Sequence, residues 1–433
     1  MRGPKDHPHR HRLSNEVHAR PSFPIETPSK ISYIAMLSDK AQRQADYDAL
    51  CALLDAFQHI TPPSYEARHF SSDLGPFSIV WERHTEFVRY TFIIRGESDA
   101  FAHPVIDLLP KDWLSRLPGD LIVGVNAALS QSDTAIDVKQ VIAETLLEPP
   151  VVGALISRGE ASVATDFRIH ADGFTRLCIR NHKMDTWSTG RIVQRLLEIE
   201  TYRMMATQSL PVAQDLLAKL VTWETELSHI AEGMVELKTQ DQTRPLERLM
   251  TLQAAIEKIS AQSQFRFSAG AAYYSLVKAR ILELNESELP QAQMFGEFTE
   301  RRLAPAMATC MSTERRLSAL SARVDRVTQL LSTHVNLLLE QQNQGLLESM
   351  DRRVGLQIRL QQTVEGLSAA AISYYLIGIV AYIVKAVEEA GLAINTALTI
   401  GISAPIILAL VSGSIWRIRK HFTDSDHPSQ AKH

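Results

Sequence analysis

The chain has 433 residues, with 45 Lys and Arg against 49 Asp and Glu, and this net charge of −4 excludes a whole-chain electrostatic case for nucleic-acid binding. Its 45% apolar and 22% charged content is ordinary for globular proteins, and the length allows roughly two or three compact units. Cys51, Cys178 and Cys310 lie far apart, outside any CxxC or Cys/His spacing, which excludes a disulfide framework and a zinc knuckle and fits reduced thiols in a cytoplasm-facing body.

Residues 1–29 read as an N-terminal arm. The start, MRGPKDHPHRHRLSNEVHARP, is basic but has no apolar core, so no secretory signal peptide is expected. His7, His9 and His11 offer only a compositional signal for a transition metal. In Asn15-Glu16-Val17-His18-Ala19-Arg20-Pro21 the groups Glu16, His18 and Arg20 fall at every second position, on one face of an extended segment. A carboxylate, an imidazole and a guanidinium together suit anion binding, shared metal coordination or acid–base work. They equally suit an arm that docks on the body through ion pairs.

Residues 30–182 predict an α+β domain with a mostly antiparallel sheet. KISYIAML reads as a strand, Asp39 to Ile60 as a helix ending before Thr61-Pro62-Pro63, and FSIVWER with EFVRYTFIIRG as a hairpin. DLIVGVNAAL is a further strand. VVGALIS, ASVATDFRI and FTRLCIR are separated by turn chemistry at Arg158-Gly159-Glu160 and Ala171-Asp172-Gly173, which predicts three antiparallel strands. No GxGxxG, P-loop, GxSxG or HExxH occurs. The hairpin tip carries Glu82, Arg83, His84 and Glu86. A charged turn is ordinarily solvated, although it is also a place where the N-terminal arm could make a joint site, Arg20 on Glu82 or His18 on Glu86.

Residues 183–367 predict helices: about Thr189–Gln208, Pro211–Thr239, Pro245–Glu288 and Met294–Gly366. Leu317, Leu320, Val324, Val327 and Leu331 keep coiled-coil spacing. The stripe then shifts phase through Leu346, Met350, Val354, Leu360 and Val364, and Gly366 is the one candidate break before the apolar run that begins at Ser368. Arg301 and Arg302 could meet lipid phosphate or another helix.

Residues 368–416 read as a transmembrane hairpin, with spans at Ser368–Val387 and Thr396–Trp416, each about the 20 residues that cross a bilayer. Arg352, Arg353 and Arg359 precede the first span and Arg417, Arg419 and Lys420 come after the second, while the connecting turn holds Glu388 and Glu389. The positive-inside rule then puts both termini, including the tail 417–433, in the cytoplasm. Tyr374, Gly378, Tyr382 and Lys385 share a face of the first span, as a pore lining or a packing face; with Glu388, Glu389 and Asn395 they are the membrane candidates. Gly401, Pro405, Ala409 and Gly413 form a small-residue stripe on which another helix can pack, with a kink expected at Pro405.

The run from Asn15 to Pro21, with GRIVQRLLEIETYRMMA (Gly190 to Ala206), FTERRLAPAMATC (Phe298 to Cys310) and RLQQTVEGLSAAAISYYLIG (Arg359 to Gly378), resembles a bacterial family described as uncharacterised membrane-anchored proteins. That resemblance covers nearly the whole chain and implies no established activity. The layout alone is similar to CorA-type divalent-cation channels, which would imply a homopentamer with the first span lining a pore. Their Gly-Met-Asn motif is absent: the corresponding stretch runs from Ile383 to Gly391, and Lys385 in a lumen would repel divalent cations.

The expectation is therefore a self-associating, multi-pass protein of the bacterial inner membrane with a large cytoplasmic body and a structural or interaction role. A CorA-like channel and an enzyme built on residues 15–21 are the alternatives. The expected partners are the lipid bilayer and further copies of the chain, with an ion or anionic ligand possible and no nucleic acid or cofactor.

Overall fold

The computed structural model describes residues 6–11, 13–14, 22–57, 60–96, 100–145, 147–233, 243–389 and 395–424. Contacts divide the chain into two units, Met1–Gln329 and Leu330–His433.

The first unit is built on an eight-stranded sheet. Its strands are β1 (Ser29–Leu37), β2 (His69–Asp73), β3 (Ser78–Arg83), β4 (Phe87–Arg95), β5 (Leu121–Gln131), β6 (Val152–Ile156), β7 (Ala161–Thr165) and β8 (Thr175–Asn181). The spatial order is β2-β3-β4-β1-β5-β8-β7-β6. β1 is central, paired antiparallel to β4 and β5. SKISYIAML is apolar on both faces because both faces are covered, so no simple alternation marks it. The β3–β4 hairpin and the β6–β7–β8 meander form as the turn residues predict. The departure is β5 against β8, a parallel pair. The chain between them is long enough to cross over, and a parallel neighbour requires such a crossover.

One sheet face is covered by α1 (Arg43–Ala56), a 3₁₀ turn at Val105–Leu108 and α2 (Lys111–Ser115). There Leu50, Leu53, Leu54, Val105 and Trp113 pack on Ile34, Trp81, Tyr90 and Phe92. α3 (Val138–Thr145) and Leu289 close a smaller cluster over Ala164 and Cys178. The other face carries α4 (Thr186–Thr207), capped where Asp185 accepts from the Ser188 N–H at 2.8 Å. Ile192, Val193, Leu196 and Leu197 of α4 lie on Tyr33, Val125 and Leu177, and α6 (Thr243–Glu283) adds Val277 and Ile281. α5 (Ser209–Gly233) packs beside α6, where Gly270 lets the backbones close: a Cβ there would stand 2.6 Å from Ser209 Oγ.

After α7 (Phe295–Phe298) and a π-helical turn at Thr299–Leu303, α8 runs from Ala304 to Glu389. Leu317, Leu320, Val324 and Leu331 of the predicted stripe are buried. Gly366, the one candidate break, does not interrupt the helix, since one unstrained glycine costs a helix interior only about 1 kcal/mol.

In the second unit, Leu346, Met350, Val354, Leu360 and Val364 are 51% to 71% exposed. The rest of α8 and α9 (Thr396–Asp424) supply two helices long and apolar enough to cross a membrane. α9 continues through Pro405. None of its apolar 18-residue window is buried, and only 11% of the corresponding window in α8 is.

Candidate functional site

The charged turn between β3 and β4 is not a solvated tip, as the sequence suggests. Alternation along β3 sends Glu82 and Arg83 to opposite faces, and both are buried. Glu82 stands directly across from Arg89 of β4 in the ladder, and the Arg89 Nε–H donates to the Glu82 carboxylate. Arg89 also reaches Glu198 of α4 at 3.4 Å. Glu198 in turn accepts from Arg280 Nε of α6 at 2.5 Å and from Gln194 Nε2 at 3.0 Å. Arg280 and Arg195 close the chain on Glu283 at 2.8 and 2.9 Å. Beside the cluster, Tyr33 O–H and Thr201 Oγ1 are 2.6 Å apart. A ladder of alternating charge thus ties the sheet to α4 and α6.

Burial alone would push the Glu82 carboxyl up, but the Arg89 guanidinium, helped by His69, outweighs it and holds the group well below the usual carboxylate range. Burial likewise opposes the charge on Arg89, and Glu82, Tyr33 and Glu198 together more than restore it. Burial pushes the Tyr33 phenol up, so it stays neutral. Each charge is partnered, which is the condition for ions under a helix.

The cluster borders a cavity of about 40 Å³ also lined by Phe23, Ile25, Thr91 and Gly190. That space admits about one or two waters and no organic substrate. Gly190 is what lets residues 22–25 cross α4: a Cβ there would lie 1.7 Å from the Phe23 carbonyl oxygen. The Ile25 N–H donates to the Thr186 carbonyl at 3.0 Å and holds the segment down.

Asn15, Glu16, His18 and Arg20 lie outside the described residues, and with them the Arg20–Glu82 and His18–Glu86 contacts that the sequence suggests. Arg83 donates from Nη2 to the Tyr65 carbonyl at 2.8 Å and stacks near Trp81 and Tyr65. The His84 ring stacks on Phe87 at 4.3 Å. Glu86 pairs with Arg266 of α6 at 2.9 Å. Among the described residues no three His, Cys, Asp or Glu side chains group as metal ligands. His7 and His9 meet ring edge to ring face and His11 lies 3.4 Å from Asp6, all exposed. A Ser–His pair does exist, His182 Nε2 with Ser162 Oγ at 3.1 Å, but both groups are buried and Ser162 is committed to the Ile136 N–H.

In the second unit Tyr374, Tyr382, Lys385 and Glu388 are exposed, and a Cβ at Gly378 would meet nothing within 4 Å. The Glu389 side chain lies outside the description. Asn395 is a helix cap: its Oδ1 accepts from the Leu398 N–H at 3.3 Å. Gly401, Pro405, Ala409 and Gly413 are all exposed, and among the described residues nothing lies within 4 Å of a Cβ placed at either glycine.

Sequence reasoning missed Arg89, Glu198, Arg280 and Gly190. A charged residue inside the apolar run FVRYTFIIR was the available signal for Arg89, since an isolated buried charge demands a partner. A family model described as a protein of unknown function (DUF3422) matches residues 5–422. No curated protein and no solved structure matches the chain.

Proposed function

The chain belongs to the DUF3422 family of proteins of unknown function, and from that premise we propose that it is a membrane-anchored, self-associating protein whose mixed-sheet body has a structural or interaction role. The observation that carries this reading is the exposure of the two apolar helices. Tyr374 is 76%, Tyr382 79% and Leu410 66% exposed, on helices long enough to span a bilayer. Contiguous apolar surface of that extent in water costs about 25 cal/mol per Å², a cost that hydrocarbon removes. The basic flanks, Arg352, Arg353 and Arg359 before and Arg417, Arg419 and Lys420 after, favour a multi-pass orientation in the bacterial inner membrane with both termini cytoplasmic. Self-association is favoured by the exposed stripe from Leu346 to Val364 and by the uncovered small-residue face at Gly401 and Gly413. In the membrane, the body would be presented to partners while the helices hold it at the surface.

The test is extraction of membranes with alkaline carbonate. The native chain is expected to stay in the pellet. Ile379→Lys combined with Leu408→Lys, each charge costing roughly 2.5–3.5 kcal/mol at a span centre, is expected to release it. A native chain that floats free in the supernatant rejects the anchor. A ring-shaped assembly with Tyr374, Gly378, Tyr382 and Lys385 around a continuous polar lumen would replace the structural role by a CorA-like conducting one.

A further inference from the structure

On the sheet face opposite α4 lies a second cavity, of about 740 Å³, within the range that accommodates organic ligands. Its floor is Ile34 and Asn126, on β1 and β5, and its wall is the segment that runs from Pro104 to Leu121. Leu109, Leu114 and Leu117 make most of that wall apolar. Phe174 forms the far side. Its ring lies over Gly124, where a Cβ would stand 3.0 Å from Phe174 Cδ1, so the bare glycine is what seats the wall. The charged groups, Asp107, Lys111 and Asp172, are exposed at the rim.

Asn126 makes this cleft more than an apolar hollow. It is 1% exposed and faces Ser32 across the β1–β5 ladder. Ser32 O–H donates to Asn126 Oδ1 at 2.7 Å, while Ser32 Oγ accepts from the Ile106 N–H at 3.1 Å. The oxygen of the amide is therefore committed. Its Nδ2, which carries two N–H donors, meets no acceptor among the described residues. A buried donor left unpaired is costly, and native interiors rarely keep one without a use. Asn126 is one of the residues that line the cavity, and an occupant of the cavity is a source for the acceptor that its Nδ2 lacks.

We propose that this cleft is a binding site for a small, neutral, apolar molecule carrying one carbonyl-type oxygen, which accepts a hydrogen bond from Asn126 Nδ2 while its apolar body lies on Leu109, Leu114, Leu117 and Phe174. An anionic headgroup is disfavoured at the floor, because Ile34 and Asn126, with Ile106 of the wall beside them, include no cation. The site stands independently of the membrane anchor.

Benzophenone, a neutral ketone whose excited state inserts into nearby C–H bonds, is the probe. The full-length protein in lipid nanodiscs is irradiated with it, and adducts are mapped by peptide mass spectrometry. Adducts are expected on Met36 and between Leu109 and Leu121, beside those that the lipid-dissolved probe makes on the apolar helices. Leu121→Trp, which fills the cleft mouth from a half-exposed position, is expected to lower the cleft adducts about ten-fold relative to the helix adducts. Asn126→Leu lowers them roughly three- to ten-fold, the worth of one neutral hydrogen bond. On the unaltered protein, fluorenone is expected to compete several-fold better than fluorene, which has the same tricyclic framework without the carbonyl, so the result does not depend on a variant folding. Adducts confined to the apolar helices, or equal competition by fluorenone and fluorene, would overturn the proposal.

Discussion

Glu82 and Arg89 set the energetics of the cluster under α4. Their charges are opposed across one rung of the β3–β4 ladder and both are almost fully buried. Removing one partner leaves the other uncompensated, and breaking such a pair costs about 3–5 kcal/mol. Glu82→Gln is therefore expected to lower unfolding free energy by about that much in chemical denaturation. Glu82→Leu with Arg89→Met should lose less than either single change, although Glu198 and Arg280 would then pair without Arg89. The sign of the pH dependence is set by the depressed Glu82 carboxyl. Its contribution is complete above the ordinary carboxylate range, near pH 4.3, and is lost as pH falls below that toward the lower folded value. The native protein is expected to lose stability on acidification through this limb, and Glu82→Gln to flatten it. An unchanged acid limb in Glu82→Gln would show that other carboxylates carry it.

At the scale of elements, α8 divides by environment along one continuous helix. Its Leu320 is 1% exposed, whereas Leu346, which continues the apolar stripe, is 62% exposed. Leu320→Ala should therefore cost about 2–5 kcal/mol through lost burial and the cavity left behind. Leu346→Ala should change the stability of the isolated chain by less than about 0.5 kcal/mol. If copies associate along this stripe, Leu346→Ala instead shifts the oligomer distribution in analytical ultracentrifugation while the unfolding midpoint of the body stays put. The two substitutions are the same in kind, so any difference reports neighbours rather than helix propensity. α4 makes the complementary point: its apolar face and Asp185 cap come from local sequence, but its place on the sheet depends on Gly190 yielding room to Phe23.

For the whole molecule, the decisive test concerns sidedness. Asn395 caps the N-terminus of α9, which follows the first apolar helix in the chain. In a background with Cys51, Cys178 and Cys310 replaced by Ser, Asn395→Cys is expected to react with an impermeant maleimide added to intact spheroplasts. A cysteine introduced at exposed Leu13 is expected to react only after lysis. Labelling of both positions from outside would abolish the proposed orientation, and labelling of position 13 alone would reverse it.

Much of the fold could be read from the chain itself. The β3–β4 hairpin, the β6–β7–β8 meander, the run of helices after Thr186 and the two apolar segments all stem from period, turn residues and length, which are local properties of neighbouring residues. The candidate sites were less legible. Glu82 was visible as a charge at a turn, but its burial and its partners Arg89, Glu198 and Arg280 come from strands and helices separated by up to 198 positions along the chain, counted from Glu82 to Arg280. The parallel pairing of β5 with β8 and the unpaired amide nitrogen of Asn126 are likewise products of elements meeting across the sheet. By itself the sequence determined most of the strands and long helices and both membrane-length apolar runs, while β2 (His69–Asp73), α2 (Lys111–Ser115) and α3 (Val138–Thr145), short and without clear periodicity, were not legible in it. Only the tertiary structure decided which charges lose their water and must pair, and which polar group is left waiting in a cavity, because desolvation is set by what packs over a residue and not by the residues beside it in the chain.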